Sequence, residues 1–194
     1  MKRTFRMAIF EATLATGFEA YLPTPTQIKR LDSVLYSGFD CPAMNVSSKP
    51  RIAAARLMMH ATSIAVTAHA RMLTVWWIIA TGHCSDLLYQ AYLLQFASTA
   101  AYDPTQAPTN YSEEVRHLLH TYGLTNYTDT ATLPQKKLTW TTMIRKIITE
   151  AALQRDIAEL QENHLLYHSA FGFAVVSRIG EASVQVEWEN PDEN

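Results

Sequence analysis

Two pairs of histidines have the spacing with which a helix can hold a metal ion. His164 and His168 are four residues apart, and His117 and His120 are three apart, with Glu114 three residues before His117. Residues at these spacings lie on one face of an α-helix, where paired histidines and carboxylates bind zinc or a di-iron centre. A di-iron site needs two Glu-x-x-His motifs, however, and the sequence contains one. We therefore predict that the four histidines are structural and that the protein has no cofactor. The alternative is that they are metal ligands.

A second group of reactive residue types lies in the run from His83 to Asp86, which also contains Cys84 and Ser85. Adjacent residues on a helix point about 100° apart, so they cannot line up as nucleophile, base and orienting group. Two interpretations remain, a helix-capping turn and a reactive Cys84 thiol at a helix N-terminus. The sequence has no Gly-x-Ser-x-Gly motif, Walker loop, dinucleotide fingerprint or CxxC pair, and we predict a protein that is not an enzyme.

Two clusters of basic residues are candidates for contact with a phosphate backbone. Tyr127 and Trp140 lie near the second cluster, and basic residues interleaved with aromatic ones suit a single strand whose bases stack on the rings. The other interpretation is an ordinary solvated helix face. The predicted nucleic-acid-binding residues are Arg51, Arg56, Lys136, Lys137, Arg145 and Lys146.

Charge is distributed unevenly along the chain, although its net value is only −2. Residues 1–56 carry eight Lys and Arg against four acidic residues, a net +4, whereas residues 181–194 carry five acidic residues and no basic one. The small total argues against a protein that coats nucleic acid by bulk charge. The oppositely charged ends predict head-to-tail contacts between copies in an assembly, and an ordinary surface with an acidic tail is the alternative.

Length and composition place the chain among globular proteins. With 194 residues, 48% of them hydrophobic and 18% charged, it can bury a sizeable core in one domain. We predict a single helical domain over residues 1–180 and, over 181–194, a closing strand with an acidic mobile tail. Glu11 interrupts the apolar core of a signal peptide, and charges interrupt every apolar run before it reaches a membrane-spanning length. No secretion signal, transmembrane helix or membrane partner is therefore expected.

Helices dominate the predicted secondary structure, so the fold class is mainly α, a helical bundle with a short C-terminal β-hairpin. The apolar stretch 52–98, broken only by Gly82, predicts two long helices that are buried on more than one face. A change from helical to alternating hydrophobic pattern predicts the hairpin, from segments 171–179 and 182–188. The predicted helices cover residues 4–16, 26–37, 51–80, 85–100, 111–122 and 136–169.

The helix predicted over residues 51–80 carries a polar stripe and, apart from it, large apolar residues. Its polar residues, among them Arg56 and Arg71, recur every three to five positions and are expected to lie on a solvated stripe. Its large apolar residues either line a ligand pocket or belong to the core. These residues are Met58, Met59, Met72, Trp76 and Trp77.

The C-terminal quarter of the chain resembles a known family. A long helix containing Ala151–Leu160 is followed by an extended segment and by a closing strand in Ser183–Pro191, with Trp188 just before a polar tail. This order resembles the coat proteins of rod-shaped and filamentous RNA plant viruses. The resemblance implies a four-helix-bundle subunit that stacks helically and holds one RNA strand in a groove. The central region of that family has no counterpart here, so the basic residues above are assigned from residue type alone.

These features favour a structural assembly subunit and, within that class, a helical viral coat protein that packages RNA. Its predicted partners are copies of itself and single-stranded RNA. Its predicted location is the cytoplasm or the virion, since Cys41 and Cys84 have no CxxC spacing and fit a reducing compartment. The alternatives are a helical-bundle metalloenzyme or ligand-binding protein that uses the paired histidines, and a small regulator that binds a host protein.

Overall fold

The fold comes from a computed structural model that describes residues 16–18, 20, 22–37, 53, 56, 62–161, 174–179 and 183–188. These residues are mainly helical, as the sequence predicts. Residues 4–15 of the first predicted helix and 162–169 of the last lie outside the described residues. The helices are α1 (Pro25–Ser37), α2 (Ile64–Ala80), α3 (Asp86–Ser98), α4 (Tyr111–Thr121) and α5 (Lys137–Gln161), with 3₁₀ turns at Thr125–Thr128 and Thr130–Thr132.

The chain divides into two compact units. Among the described residues, the first unit contains those within Thr24–Val66 and from Thr149 onward, which include α1, the start of α2 and the second half of α5. The second unit contains those within Ala15–Pro23 and Thr67–Ile148, which include the rest of α2, all of α3 and α4, and the first half of α5. The single domain expected over residues 1–180 stays a prediction.

In the first unit, α2 begins at Ile64 because its first backbone amide is capped by a residue of α1. The Asp32 carboxylate accepts hydrogen bonds from the Ile64 N–H at 2.9 Å and from the Ser63 hydroxyl at 2.7 Å. Ser63 Oγ in turn accepts from the Ala65 N–H at 3.2 Å. These oxygens satisfy donors that have no partner inside the helix. The continuous helix predicted over residues 51–80 is therefore wrong at Ser63, which is not helical.

The core of the second unit contains tryptophans of α2 and α5. Trp76 and Trp140 are fully buried with their ring centroids 5.6 Å apart, and Trp140 Nε1–H donates to Leu73 O at 2.9 Å. Trp77 is buried too, and its Nε1–H donates to Pro134 O at 2.9 Å. The indole N–H groups of Trp140 and Trp77 thus each have a carbonyl acceptor, which offsets the cost of burying them. Of the two roles that the sequence allows for Trp76 and Trp77, the core role is confirmed.

Helix α4 is capped at both ends by residues that lie next to it in the sequence. Asn110 Oδ1 accepts the Glu113 backbone N–H at 3.1 Å, whereas the Glu113 carboxylate accepts from Thr109 and closes no reciprocal capping box. After the helix, Gly123 has φ of +66° and donates its N–H to His120 O at 3.0 Å. This is the left-handed ending that glycine favours at a helix C-terminus.

The two strands pair with each other. They are β1 (Ala174–Ile179) and β2 (Ser183–Trp188), and they run antiparallel. The register places Ala174 opposite Trp188 and Ile179 opposite Ser183. The remainder of the predicted hairpin and the acidic tail lie outside the described residues.

Candidate functional site

Helix α3 is anchored in the second unit along one side. Tyr92 is buried, and its hydroxyl accepts the Trp76 Nε1–H at 2.9 Å. One turn later, the Phe96 ring lies 3.9 Å from the guanidinium carbon of Arg116. Arg116 also donates to Phe96 O at 2.9 Å and to Thr99 Oγ1 at 3.1 Å. A cation against an aromatic face and at the carbonyl end of a helix is favourable, so this side of α3 is firmly held.

The opposite side of α3 exposes large apolar side chains. Leu87 is 82% exposed and Leu94 is 74% exposed. At about 100° per residue, these two leucines and Ala91 form one stripe that faces away from the anchoring aromatic residues. The burial expected on more than one face for both helices of stretch 52–98 is confirmed for α2 and wrong for α3. The other exposed leucines of this helix are Leu88 and Leu93.

Sequence reasoning missed this surface because α3 carries apolar residues on all sides. A helix without a polar stripe offers no sign of which side faces solvent, so its composition predicts burial. Only the contacts made by Tyr92 and Phe96 in the folded chain distinguish the packed side from the leucine stripe.

The basic residues at the start of α5 lie on the surface. Lys136 precedes the helix, and Lys137, Arg145 and Lys146 lie within its first three turns. All four are exposed, and Leu138 beside them is 77% exposed. The structure thus places this predicted cluster where a large anionic partner can reach it. The alternative interpretation, an ordinary solvated helix face, has the same exposure.

The aromatic residues expected to accompany this cluster are placed differently. Trp140 is fully buried, and Tyr127 packs edge-on against it with the ring centroids 5.4 Å apart. The Tyr127 hydroxyl lies 3.5 Å from Met143 Sδ. A buried ring cannot stack on a base, so the expected role of Trp140 is wrong. Any nucleic acid bound here would be held by charge.

Arg56 is buried in the first unit and paired with two carboxylates. Its Nε donates to Asp156 Oδ2 at 2.8 Å, its Nη2 donates to Asp156 Oδ1, and its Nη1 donates to Asp32 Oδ2 at 3.1 Å. Burial raises the pKa of Asp32 above its ordinary value, although hydrogen bonds to that carboxylate and the charge of Arg56 act in the opposite direction. The solvated position expected for Arg56 is wrong. Arg51 lies outside the described residues.

Of the four histidines in the metal hypothesis, the structure describes His117 and His120, and His117 has a backbone partner. His117 Nδ1 lies 2.8 Å from Pro104 O, which makes this nitrogen the donor, and His120 is exposed. Glu114 accepts the Leu22 backbone N–H at 3.4 Å. Within the described ranges, no three residues among His, Cys, Asp and Glu are placed to hold a metal ion. The other two candidate histidines lie outside those ranges, so the metal hypothesis stays a prediction.

The run from His83 to Asp86 contains Ser85, the N-cap residue of α3. Ser85 Oγ accepts the Leu88 backbone N–H at 3.4 Å, which confirms the capping interpretation. His83 Nδ1 lies 2.8 Å from Thr81 Oγ1, and Cys84 is half-buried. The side chains of His83 and Ser85 therefore have separate partners.

Comparison with known proteins gives no relative from which a role could be carried over. Protein-family models, curated proteins and solved structures were all searched, and none matches the chain. Across the described part of the chain, no helix combines the length and the apolar character that crossing a membrane requires. The exposed surfaces of α3 and of the start of α5 are therefore the basis for a functional proposal.

Proposed function

We propose that this protein is a non-enzymatic structural subunit that assembles with copies of itself through α3. The observation that carries the proposal is the exposure of Leu87 and Leu94 on a helix whose other side is anchored in the second unit. Full burial of one leucine side chain is favourable by about 1.5–3 kcal/mol. Two leucines from each of two copies therefore supply several kcal/mol toward association, and exposed apolar patches of this kind are typical of protein interaction surfaces.

The leucine stripe is complementary to itself. An antiparallel pairing of two α3 helices, with a twofold axis at Ala91, sets Leu87 of one copy against Leu94 of the other. The small side chain of Ala91 at the crossing point lets the two helices approach closely. Residues 87–98 contain no charged side chain, so a copy of the same chain covers the stripe without burying an unpaired charge.

Further growth of the assembly requires a second contact, because a twofold contact closes a dimer. The chain offers opposite charges for that purpose, a net +4 over residues 1–56 and five acidic residues without a basic one over 181–194. Together with the helical bundle and C-terminal β-hairpin expected from the sequence, these charges support the more specific proposal of a helical viral coat protein. Such a subunit acts in the cytoplasm and in the virion.

Sedimentation equilibrium over a wide concentration range tests the leucine contact. The wild-type protein is expected to form dimers or larger species, and the double variant Leu87→Ser with Leu94→Ser is expected to remain monomeric. Leu138→Ser is the matched control, because Leu138 is as exposed as the stripe but lies on α5. A wild-type protein that stays monomeric at high concentration contradicts the proposal, and so does equal association of both leucine variants. Negative-stain microscopy at low and high salt then shows whether dimers grow into salt-sensitive filaments.

The proposed RNA partner meets the exposed basic residues that flank Leu138, namely Lys136, Lys137, Arg145 and Lys146. The support for RNA binding is the exposed positive charge of these four side chains at the start of α5, so binding is expected to be independent of sequence. Because Arg56 is held by two buried carboxylates, we leave it out of this surface.

Fluorescence anisotropy with a labelled single-stranded RNA tests this surface. Four cations that each neutralise a phosphate of a single strand predict a slope of about −3 for log K against log salt. Replacing all four by glutamine is expected to abolish most of the binding and to flatten the slope. Lys29→Gln with Arg30→Gln is the matched control, since both residues are exposed on α1. Equal binding by the two multiple variants contradicts the assignment.

A further inference from the structure

The second unit contains an open, mostly apolar groove of about 600 Å³ next to the leucine stripe. Val75 and Ile79 of α2 form one wall, and Leu88, Ala91 and Tyr92 of α3 form another. The other described residues that line the groove are Gln95 of α3, Tyr111 at the start of α4, and Ala20. The volume lies within the range of small-molecule sites, which is about 300–1,000 Å³.

One wall of the groove is fixed by a long-range hydrogen bond. The Leu22 backbone N–H donates to the Glu114 carboxylate of α4 at 3.4 Å, and Phe18 nearby in the chain is buried. Ala20 lies between these two residues. Leu22 is thus tied to α4, which gives the groove a defined border near Ala20.

Among the described residues that line the groove, one buried hydroxyl oxygen has no hydrogen-bond partner. Tyr92 Oη accepts from Trp76 Nε1–H, and Gln95 Oε1 accepts from Ser112 Oγ at 3.1 Å. The Tyr111 hydroxyl oxygen is buried, and it has no hydrogen-bond partner among the described residues. A buried hydroxyl without a partner costs about 1–3 kcal/mol, which an acceptor atom of a ligand would recover.

The charges near the groove determine which kind of ligand atom can accept the Tyr111 hydrogen bond. None of the described residues that line the groove is charged. Burial raises the pKa of Tyr111, and Tyr92 and the Glu114 carboxylate raise it further, so the hydroxyl keeps its proton. The nearby negative charge of Glu114 disfavours an anionic ligand, whereas the oxygen of a neutral carbonyl accepts a hydrogen bond without adding charge.

We infer that this groove is a binding site for an uncharged apolar molecule with a carbonyl oxygen, such as an aromatic or alicyclic ketone or ester. The apolar body lies against Val75, Ile79 and Leu88, and the carbonyl oxygen accepts the Tyr111 hydroxyl proton. Leu87 and Leu94 do not line the groove, whereas Ala91 borders both the groove and the leucine stripe. Dye binding and self-association can therefore be tested with different residues, Tyr111 for the first and Leu87 with Leu94 for the second.

Titration with prodan, a neutral naphthyl ketone whose emission reports polarity and hydrogen bonding to its carbonyl, tests the site. Wild-type protein is expected to bind the dye saturably with blue-shifted emission. Tyr111→Phe keeps the ring and removes the donor, so affinity is expected to fall about twofold to tenfold. Ala91→Phe fills the groove from an exposed position and is expected to abolish binding, with Ala20→Phe as the blocking variant from the other wall if Ala91→Phe does not fold.

Two controls separate this site from other surfaces. Tyr102→Phe removes a hydroxyl that donates to Gln106 O outside the groove, and it should leave affinity unchanged. Leu87→Ser with Leu94→Ser should bind the dye as the wild type does, even where it no longer associates. The inference is overturned if the wild type binds no dye, if the blocking variant binds as well as the wild type, or if Tyr111→Phe has unaltered affinity.

Discussion

Arg56 and Asp156, which are 100 residues apart in the chain, form a bidentate ion pair in the interior of the first unit. Arg56 Nε donates to Asp156 Oδ2 at 2.8 Å, and Nη2 donates to the second carboxylate oxygen. The same guanidinium reaches Asp32 of α1, whose carboxylate also caps α2 at Ile64. One arginine thus connects α1, the second half of α5 and, through Asp32, the start of α2. It also gives each buried carboxylate the charged partner that burial requires.

Replacing Arg56 by methionine is expected to lower the free energy of unfolding by about 3–5 kcal/mol, because two buried carboxylates lose their cation. Urea denaturation followed by circular dichroism measures the change. Arg145→Met is the matched control, since Arg145 is exposed on α5 and should shift stability by at most about 0.5 kcal/mol. Similar small losses in both variants would show that the internal ion pairs contribute little.

Two neighbouring glutamates of α4 are expected to give opposite dependences of stability on pH. Burial raises the pKa of Glu114 above its ordinary 4.5, whereas hydrogen bonds from Thr109 hold the pKa of Glu113 below 4.5. The native protein binds the Glu114 proton more tightly than the unfolded chain does, so stability from this group falls as pH rises above 4.5. For Glu113 the unfolded chain binds the proton more tightly, so its contribution is lost as pH falls below 4.5.

Urea midpoints measured from acidic to neutral pH check both signs. Glu114→Gln keeps an acceptor for the Leu22 N–H and should remove the decline above pH 4.5. Glu113→Gln should remove the gain that the wild type makes as pH rises toward 4.5. Curves of the same shape for both variants would contradict the assignment.

Tyr92→Phe should lower the free energy of unfolding by about 1–3 kcal/mol, because the buried Trp76 Nε1–H loses its acceptor. Tyr127→Phe is a suitable comparison, since its hydroxyl makes only a long contact of 3.5 Å to Met143 Sδ. Thermal and urea unfolding should therefore show a smaller loss for Tyr127→Phe. Equal losses would show that the Tyr92 hydroxyl has no special role in holding α3.

Gly123→Ala should destabilise the protein by about 1–2 kcal/mol, because a φ of +66° is unfavourable for a residue with a Cβ atom. No atom lies within 4 Å of an added Cβ, so the loss would come from the backbone conformation rather than from a clash. Gly123→Asn should lose less, since asparagine tolerates this conformation. Equal unfolding midpoints for wild type and Gly123→Ala would refute the prediction.

Features that depend on nearby residues were predictable from the sequence. The helical class of the fold follows from apolar spacing, and the ends of α3 and α4 follow from Ser85, Asn110 and Gly123. Each of these caps bonds within a few positions of itself, so the sequence alone contains both partners. The exposure of the basic residues on α5 was predictable for a different reason, since long charged side chains seldom leave water.

Only the tertiary structure decided which apolar and charged residues are inside. Arg56 is buried because Asp32 and Asp156 lie beside it after folding, and α2 begins at Ile64 because a carboxylate of α1 reaches its first amide. Likewise, the leucine stripe and the groove near Tyr111 exist because Tyr92 anchors one particular side of a helix that is apolar all round. These contacts join segments far apart in the chain, and periodicity along one segment carries no information about a distant partner.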